Sequence, residues 1–148
     1  MKHSSMKGDV AVLMATAKFA EAGIVVLVPA CEALPFDLVL FHQGQFFRVQ
    51  VKRAQRYKQT SRWMIPFRKV APTGTDYTVY RYTTKHADYL CGVVVDTGDI
   101  YCFPLAGNRM KSMVVVDPNQ TGNPLQKRKM DSEGHRNRIQ LLGKEFAL

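Results

Sequence analysis

Between Leu38 and Thr75 the chain has no aspartate and no glutamate. Arg48, Lys52, Arg53, Arg56, Lys58, Arg62, Arg68 and Lys69 all fall in that window. The 148 residues carry a formal net charge of +9, with a pI near 9.7. Lys127, Arg128, Lys129, Arg136 and Arg138 form a second basic group near the C-terminus. A field of one sign concentrated in this way points to a polyanionic partner, nucleic acid first. A solvated basic face without a ligand is the plainer alternative.

Cysteine is scarce. Cys31, Cys91 and Cys102 are odd in number and contain no C-x-x-C pair. That argues against a metal ribbon and a disulfide framework, and for reduced core cysteines in a cytosolic protein. Long apolar runs are also missing: no window approaches the roughly 18 residues of a membrane span. The opening "MKHSSMKGD" has no apolar run behind its charges, so no secretory signal is expected. The expected setting is cytoplasmic, at the nucleoid in a bacterium, without a membrane. Internal repeats and low-complexity tracts are absent from the sequence.

What is present is a core-forming composition, 46% apolar, in a length suited to one domain over 1–148. Residues 6–105 read as its core, and 106–148 as a basic, turn-rich and partly mobile region. Met6 to Ala22 reads as a helix with an apolar stripe of Val10, Leu13, Met14, Ala17 and Ala20. Ser4 or Ser5 caps its start and Gly23 ends it. Ile24 to Val28 is a short strand, and Phe36 to Phe41 is the next. "HQGQ" around Gly44 is a hairpin turn into Phe46 to Ala54. In that strand Phe47, Val49 and Val51 take one face, and Arg48, Gln50 and Lys52 the other. Gln55 to Pro72 shows no clean period and reads as an irregular excursion. Asp76 to Tyr82 is a strand, and Tyr89–Val95 and Ile100–Pro104 form a second hairpin across "DTGD". Ser112–Val116 is a short strand, and a helix is expected from Asp131 or Ser132 to Leu142. The fold class is α/β, with an αβββ opening followed by a β-hairpin.

The first hairpin sets up a constellation. Asp37 stands at the mouth of one strand, opposite the region of Gln50 to Lys52 in the other. If its side chain points to their face, a carboxylate, an amide and an ammonium meet at one sheet end. Asp9 joins them if the helix start lies beside that end. Magnesium takes hard oxygen ligands and keeps several waters. Asp37, the Gln50 amide oxygen and the Val51 main-chain carbonyl are such ligands, and Lys52 would orient water or stabilise a developing charge. Each residue also has an ordinary explanation. Asp37 can cap a turn, Gln50 can bond within the sheet, and Lys52 can extend to solvent. Asp9 can simply favour a helix dipole.

Lys7 to Ala54, with Gly8-Asp9, Asp37-Leu38 and Gln50-Val51-Lys52 in order, resembles the PD-(D/E)xK nuclease superfamily. More narrowly it resembles the group I intron-associated branch, whose third motif is Q-x-K. "DYLCGVVVDTGDIYCFPL", Asp88 to Leu105, is similar to the strand pair that follows in that branch. The resemblance implies a restriction-endonuclease-like core, a mixed sheet flanked by helices. It implies catalytic and metal roles for Asp9, Asp37, Gln50 and Lys52, with the Val51 carbonyl as a further ligand and Mg2+ (or Mn2+) as the cofactor. The activity implied is a homing-type endonuclease cutting double-stranded DNA. One site per chain favours a homodimer or homotetramer. Arg53, Arg56, Lys58, Arg62, Arg68 and Lys69 are the expected DNA-binding residues. A junction-resolving or repair nuclease of the same superfamily and a catalytically degenerate DNA-binding module are the alternatives. Three positions depart from the family pattern: Asp9 stands where Glu is more usual, "PFD" replaces Pro-Asp, and Gln50 is neutral.

Overall fold

The computed structural model describes residues 3–107, 112–119 and 135–148. The helix α1, His3–Glu21, begins before the expected Met6, so Ser4 and Ser5 lie inside it and are not its caps. Asp9 consequently sits in the second turn. Gly23, at φ +81°, ends the helix: its N–H donates to the Ala20 carbonyl and the Ile24 N–H to that of Phe19, both at 3.0 Å. These are the two bonds of a Schellman motif, with Ile24 and Phe19 both buried beside it.

The stripe expected to define the helix is not its buried face. Ala11, Ala15 and Phe19 are fully buried, while Val10 is 40% and Leu13 68% exposed. Two apolar stripes run along α1, and periodicity alone does not choose between them. The small Ala11 and Ala15 let the helix lie close to the sheet. Val10 and Leu13, with Met6, remain as an apolar outer strip.

The central sheet has five strands: β1 (Val25–Leu27), β2 (Leu38–His42), β3 (Gln45–Arg53), β8 (Tyr89–Val94) and β9 (Asp99–Pro104), in the order β1-β2-β3-β8-β9. β3 and β8 run parallel, and the other neighbours antiparallel. The β2–β3 hairpin turns through Gln43 (φ 49°) and Gly44 (φ 78°), a two-residue turn that needs the left-handed region at both positions. Its ladder ends with Leu38 opposite Val49.

Between β3 and β8 the chain makes β4 (Gln55–Arg56), β5 (Trp63–Pro66), β6 (Arg68–Thr73) and β7 (Asp76–Arg81). The segment read as irregular is therefore made largely of short strands. β5 pairs with β4 and with β10 (Met113–Val116) as a three-stranded sheet, and β6 pairs with β7 as a ribbon. Arg48 fixes the return to β8: its backbone N–H donates to Asp88 Oδ2 at 2.7 Å and its guanidinium meets Oδ1 at 3.0 Å.

Side chains alternate across the central sheet. Cys91, Val93, Ile100 and Cys102 pack toward α1, together with Ile139, Leu141 and Phe146. Leu90, Val94, Tyr101 and Phe103 pack the opposite way, against Trp63, Ile65, Phe67, Val114 and Val116. The sheet thus has a helix on one face, as expected; among the described residues its other face is covered by strands. Gly92 faces Ile65 so closely that a methyl group there would overlap that side chain.

The expected C-terminal helix is replaced at its end by β11 (Arg138–Leu141), paired with β12 (Lys144–Ala147). Ile139 and Leu141 are buried and Arg138 and Gln140 exposed, a period of two and not of 3.6. Residues 131–134 of the expected helix, with 108–111 and 120–130 of the region read as partly mobile, lie outside the described residues. Cys91 and Cys102 face each other across β8 and β9 as free thiols, Sγ to Sγ 2.8 Å, whereas Cys31 is exposed and not in the core. No helix among the described residues is long and apolar enough to cross a membrane.

Candidate active site

β2 stops at Leu38 while β3 continues to Arg53. Beyond that point the polar groups of Val51 on this side have no strand to pair with. Asp37 takes the place of the missing strand. Its N–H donates to the Val49 carbonyl at 2.9 Å, and its Oδ2 accepts from the Val51 N–H at 2.8 Å. The Gln50 amide nitrogen donates to the same Oδ2 at 2.5 Å and to the Val51 carbonyl at 2.9 Å. Gln50 is only 7% exposed.

Burial raises the proton affinity of Asp37; the Val51 N–H and the charges of Lys52 and Lys69 oppose this, and Asp9 adds slightly to it. Burial likewise lowers the proton affinity of half-buried Lys52, with Asp37 acting against that shift and Lys69 with it. Lys52 Nζ lies 4.9 Å from the centre of the Tyr82 ring. Burial pushes the Tyr82 phenol upward, with Tyr80 and Asp37 adding to the effect. An anion, a cation and an amide thus share one partly dehydrated sheet end, where charge interacts more strongly than in water.

Asp37, Gln50, Val51 and Lys52 are brought together. Asp9 makes no hydrogen bond to them among the described residues, although its charge reaches Asp37. Arg53 Nη1 donates to the Lys7 carbonyl at 3.4 Å, which ties the N-terminal half of α1 to this end of β3. Lys69 and Tyr82 belong to the same neighbourhood and were not singled out for it in the sequence. Only the strand pairing of β6 and β7 brings them there.

The expected DNA-binding residues divide into groups. Arg56 stacks over Trp63 at 4.4 Å, and Lys58 and Arg62 lie over the Tyr57 ring at 5.3 and 5.4 Å. Arg68 and Lys69 are exposed on β6. Trp63 and Phe67 are buried core residues at 7% and 1% exposure. Tyr77 on β7 is 73% exposed.

Among the described residues no three His, Cys, Asp or Glu side chains cluster as a metal site. The Asp37 carboxylate and the Val51 carbonyl nevertheless converge on one point, now filled by the Gln50 amide nitrogen. A half-turn of that amide exchanges nitrogen for oxygen beside Asp37 and Val51, and a cation among the three oxygens would need the Gln50 side chain to draw back from that point. Two neutral oxygens and one anionic oxygen suit a hard cation that keeps several waters.

A search of the curated proteins returned no match. Among solved structures, the chain is similar to that of a bacterial homing endonuclease, I-Ssp6803I, with a TM-score of 0.75 and 24% identity over 90% of this chain and 88% of that one. That likeness shows a shared restriction-endonuclease-like fold. The family model described as PD-(D/E)XK endonuclease matches residues 2–132. By that match, the chain belongs to the PD-(D/E)XK endonuclease family, a family of nucleases.

Proposed function

We propose that the protein is a divalent-metal-dependent endonuclease that hydrolyses phosphodiester bonds of double-stranded DNA, of the homing type. The observation that carries this reading is the convergence of Asp37, the Val51 carbonyl and the Gln50 amide beside half-buried Lys52. Its Q-x-K form supports the group I intron-associated branch. Asp37, the Val51 carbonyl and Gln50 would hold Mg2+ or Mn2+, with Asp9 joining through water. When bound, the cation supplies Lewis acidity, acidifying water and offsetting phosphate charge.

The chain's own residues do the rest. Burial makes the Asp37 anion costly, so an incoming cation relieves it. Lys52 sets a positive charge where the five-coordinate phosphate becomes more anionic, and its position is fixed before the reaction. Arg56, Lys58 and Arg62, and Arg68, Lys69 and Arg53 nearer the mouth, contact DNA phosphates and set the duplex in register. Two scissile strands and one site per chain call for a homodimer or homotetramer, which the exposed strip of Met6, Val10 and Leu13 supports.

The neutral Gln50 and the single contacting carboxylate favour one second reading, a DNA-binding module that has lost catalysis. Purified protein with a plasmid library and magnesium, beside an Asp37→Asn control, decides between them. Magnesium-dependent nicking lost in the control supports the nuclease; DNA binding without nicking supports the module.

A further inference from the structure

Lys52 and Asp37 feel each other's charge, yet among the described residues they form no contact ion pair. A flexible lysine beside a half-buried carboxylate would ordinarily fold onto it. The Lys52 ammonium instead stands over the Tyr82 ring at 4.9 Å from its centre. That ring is 5% exposed and held from several directions. The Tyr82 N–H donates to the Phe67 carbonyl at 3.0 Å, at the base of the β6–β7 ribbon. Tyr80 and His86 meet the ring edge-on at 5.8 and 5.9 Å. His86 is itself fixed, stacked on Tyr80 at 4.9 Å, with its Nδ1 accepting from the Thr83 N–H at 3.0 Å.

We propose that Tyr82 is a positioning residue for the reaction: its ring face holds the Lys52 ammonium off the Asp37 carboxylate and ready for the phosphate. An aromatic face attracts a cation through its quadrupole, most strongly where water is excluded, and without taking up a carboxylate oxygen. The ring leaves the Asp37 oxygens to the Val51 N–H and the cation site, and leaves the N–H groups of Lys52 to water and phosphate. The attraction belongs to the ring face, so the hydroxyl is dispensable. The inference rests on the nuclease reading above.

The test compares Tyr82→Phe and Tyr82→Leu in single-turnover plasmid nicking with magnesium, with duplex affinity measured separately. The expected result is a rate within about threefold of wild type for Phe and at least about tenfold lower for Leu, as loss of a dehydrated cation–ring contact implies, at unchanged affinity. Leu as fast as wild type, or Phe as slow as Leu, overturns the proposal. If the Leu variant does not fold, wild-type protein carrying 13C-labelled lysine decides. The Lys52 ε-methylene protons, assigned with Lys52→Met, are expected upfield under the Tyr82 ring current; an unshifted resonance overturns the assignment. Wild-type protein that never nicks DNA defeats the nuclease reading and any role within it. Wild-type nicking with an unshifted Lys52 resonance defeats the Tyr82 assignment alone.

Discussion

The Val51 N–H donates to the Asp37 carboxylate across 2.8 Å, at the point where β2 has ended and β3 has not. One bond completes the sheet edge and aims the carboxylate. The cost of that placement is borne by the fold, because the anion is partly dehydrated where it stands.

Asp37→Asn is expected to stabilise the protein while removing nicking. Burial lifts the folded-state proton affinity of Asp37 above its ordinary value near 3.8. A group shifted upward favours folding fully below the ordinary value, and that contribution is lost as pH rises through the folded value. At neutral pH the anion therefore opposes folding. Thermal melts are expected to show the Asn variant a few degrees higher at pH 7, with the gain vanishing in acid. An Asn variant less stable at pH 7 would contradict this account of the carboxylate.

Gln50→Glu adds a second anion at a position 7% exposed. Without divalent cation the two carboxylates repel, and the variant is expected to melt below wild type. With magnesium the order narrows or reverses, since binding to the folded state alone stabilises it by mass action. Isothermal titration is expected to show tighter magnesium binding, and an affinity unaffected by the substitution would remove Gln50 from the cation site.

The basic groups on the aromatic rings should register in salt dependence. Arg56→Gln, Lys58→Gln and Arg62→Gln are each expected to reduce the slope of log K against log salt by about one, uniformly across duplex sequences. A wild-type slope near zero would show that this surface does not bind phosphates.

Asp99 holds the start of β9 to the segment before β11. Its Oδ1 accepts from Arg136 Nε and Asn137 Nδ2, each at 2.9 Å, and its Oδ2 from the Thr97 hydroxyl at 2.5 Å. Burial works to raise its proton affinity, but these bonds and the Arg136 charge outweigh it and leave the carboxyl below its ordinary 3.8. A depressed group contributes stability above the ordinary value and loses it as pH falls through the folded value. Asp99→Ala is expected to cost about 2 kcal/mol in urea unfolding at pH 7, the scale of hydrogen bonds to a charged group. The difference from wild type should shrink below pH 3.8.

The legible parts of the sequence were those with local signals. "QG" between two apolar runs marks the β2–β3 hairpin, and the alternation of Val49 and Val51 with Gln50 and Lys52 sets their faces. Gln50, Val51, Lys52 and Asp37 could be assembled from that hairpin alone. In Gln55–Pro72 a period of two is present, since Trp63, Ile65 and Phe67 are all buried. Pro66 and the surrounding charges hid it. "RIQL" before the Leu142-Gly143 turn, at φ 50° and 78°, was similarly a hairpin signal. The polar stretch before it favours a helix over that hairpin signal. The buried face of α1 was not legible, because only the sheet chooses between two apolar stripes. Lys69 and Tyr82 reach Lys52 through strand pairing that no local pattern announces.

The central claim is that Asp37, Gln50 and Lys52 form one metal-assisted hydrolytic site. Its most direct test is nicking of supercoiled plasmid carrying the cognate site, recovered from the library selection, by wild-type protein and by Lys52→Ala, with magnesium and with EDTA. The expected result is nicking by wild type with magnesium only, and a rate for Lys52→Ala lower by at least about a hundredfold, as for loss of a preorganised charge, at near-unchanged DNA affinity. Magnesium-dependent nicking that persists undiminished in Lys52→Ala would contradict it.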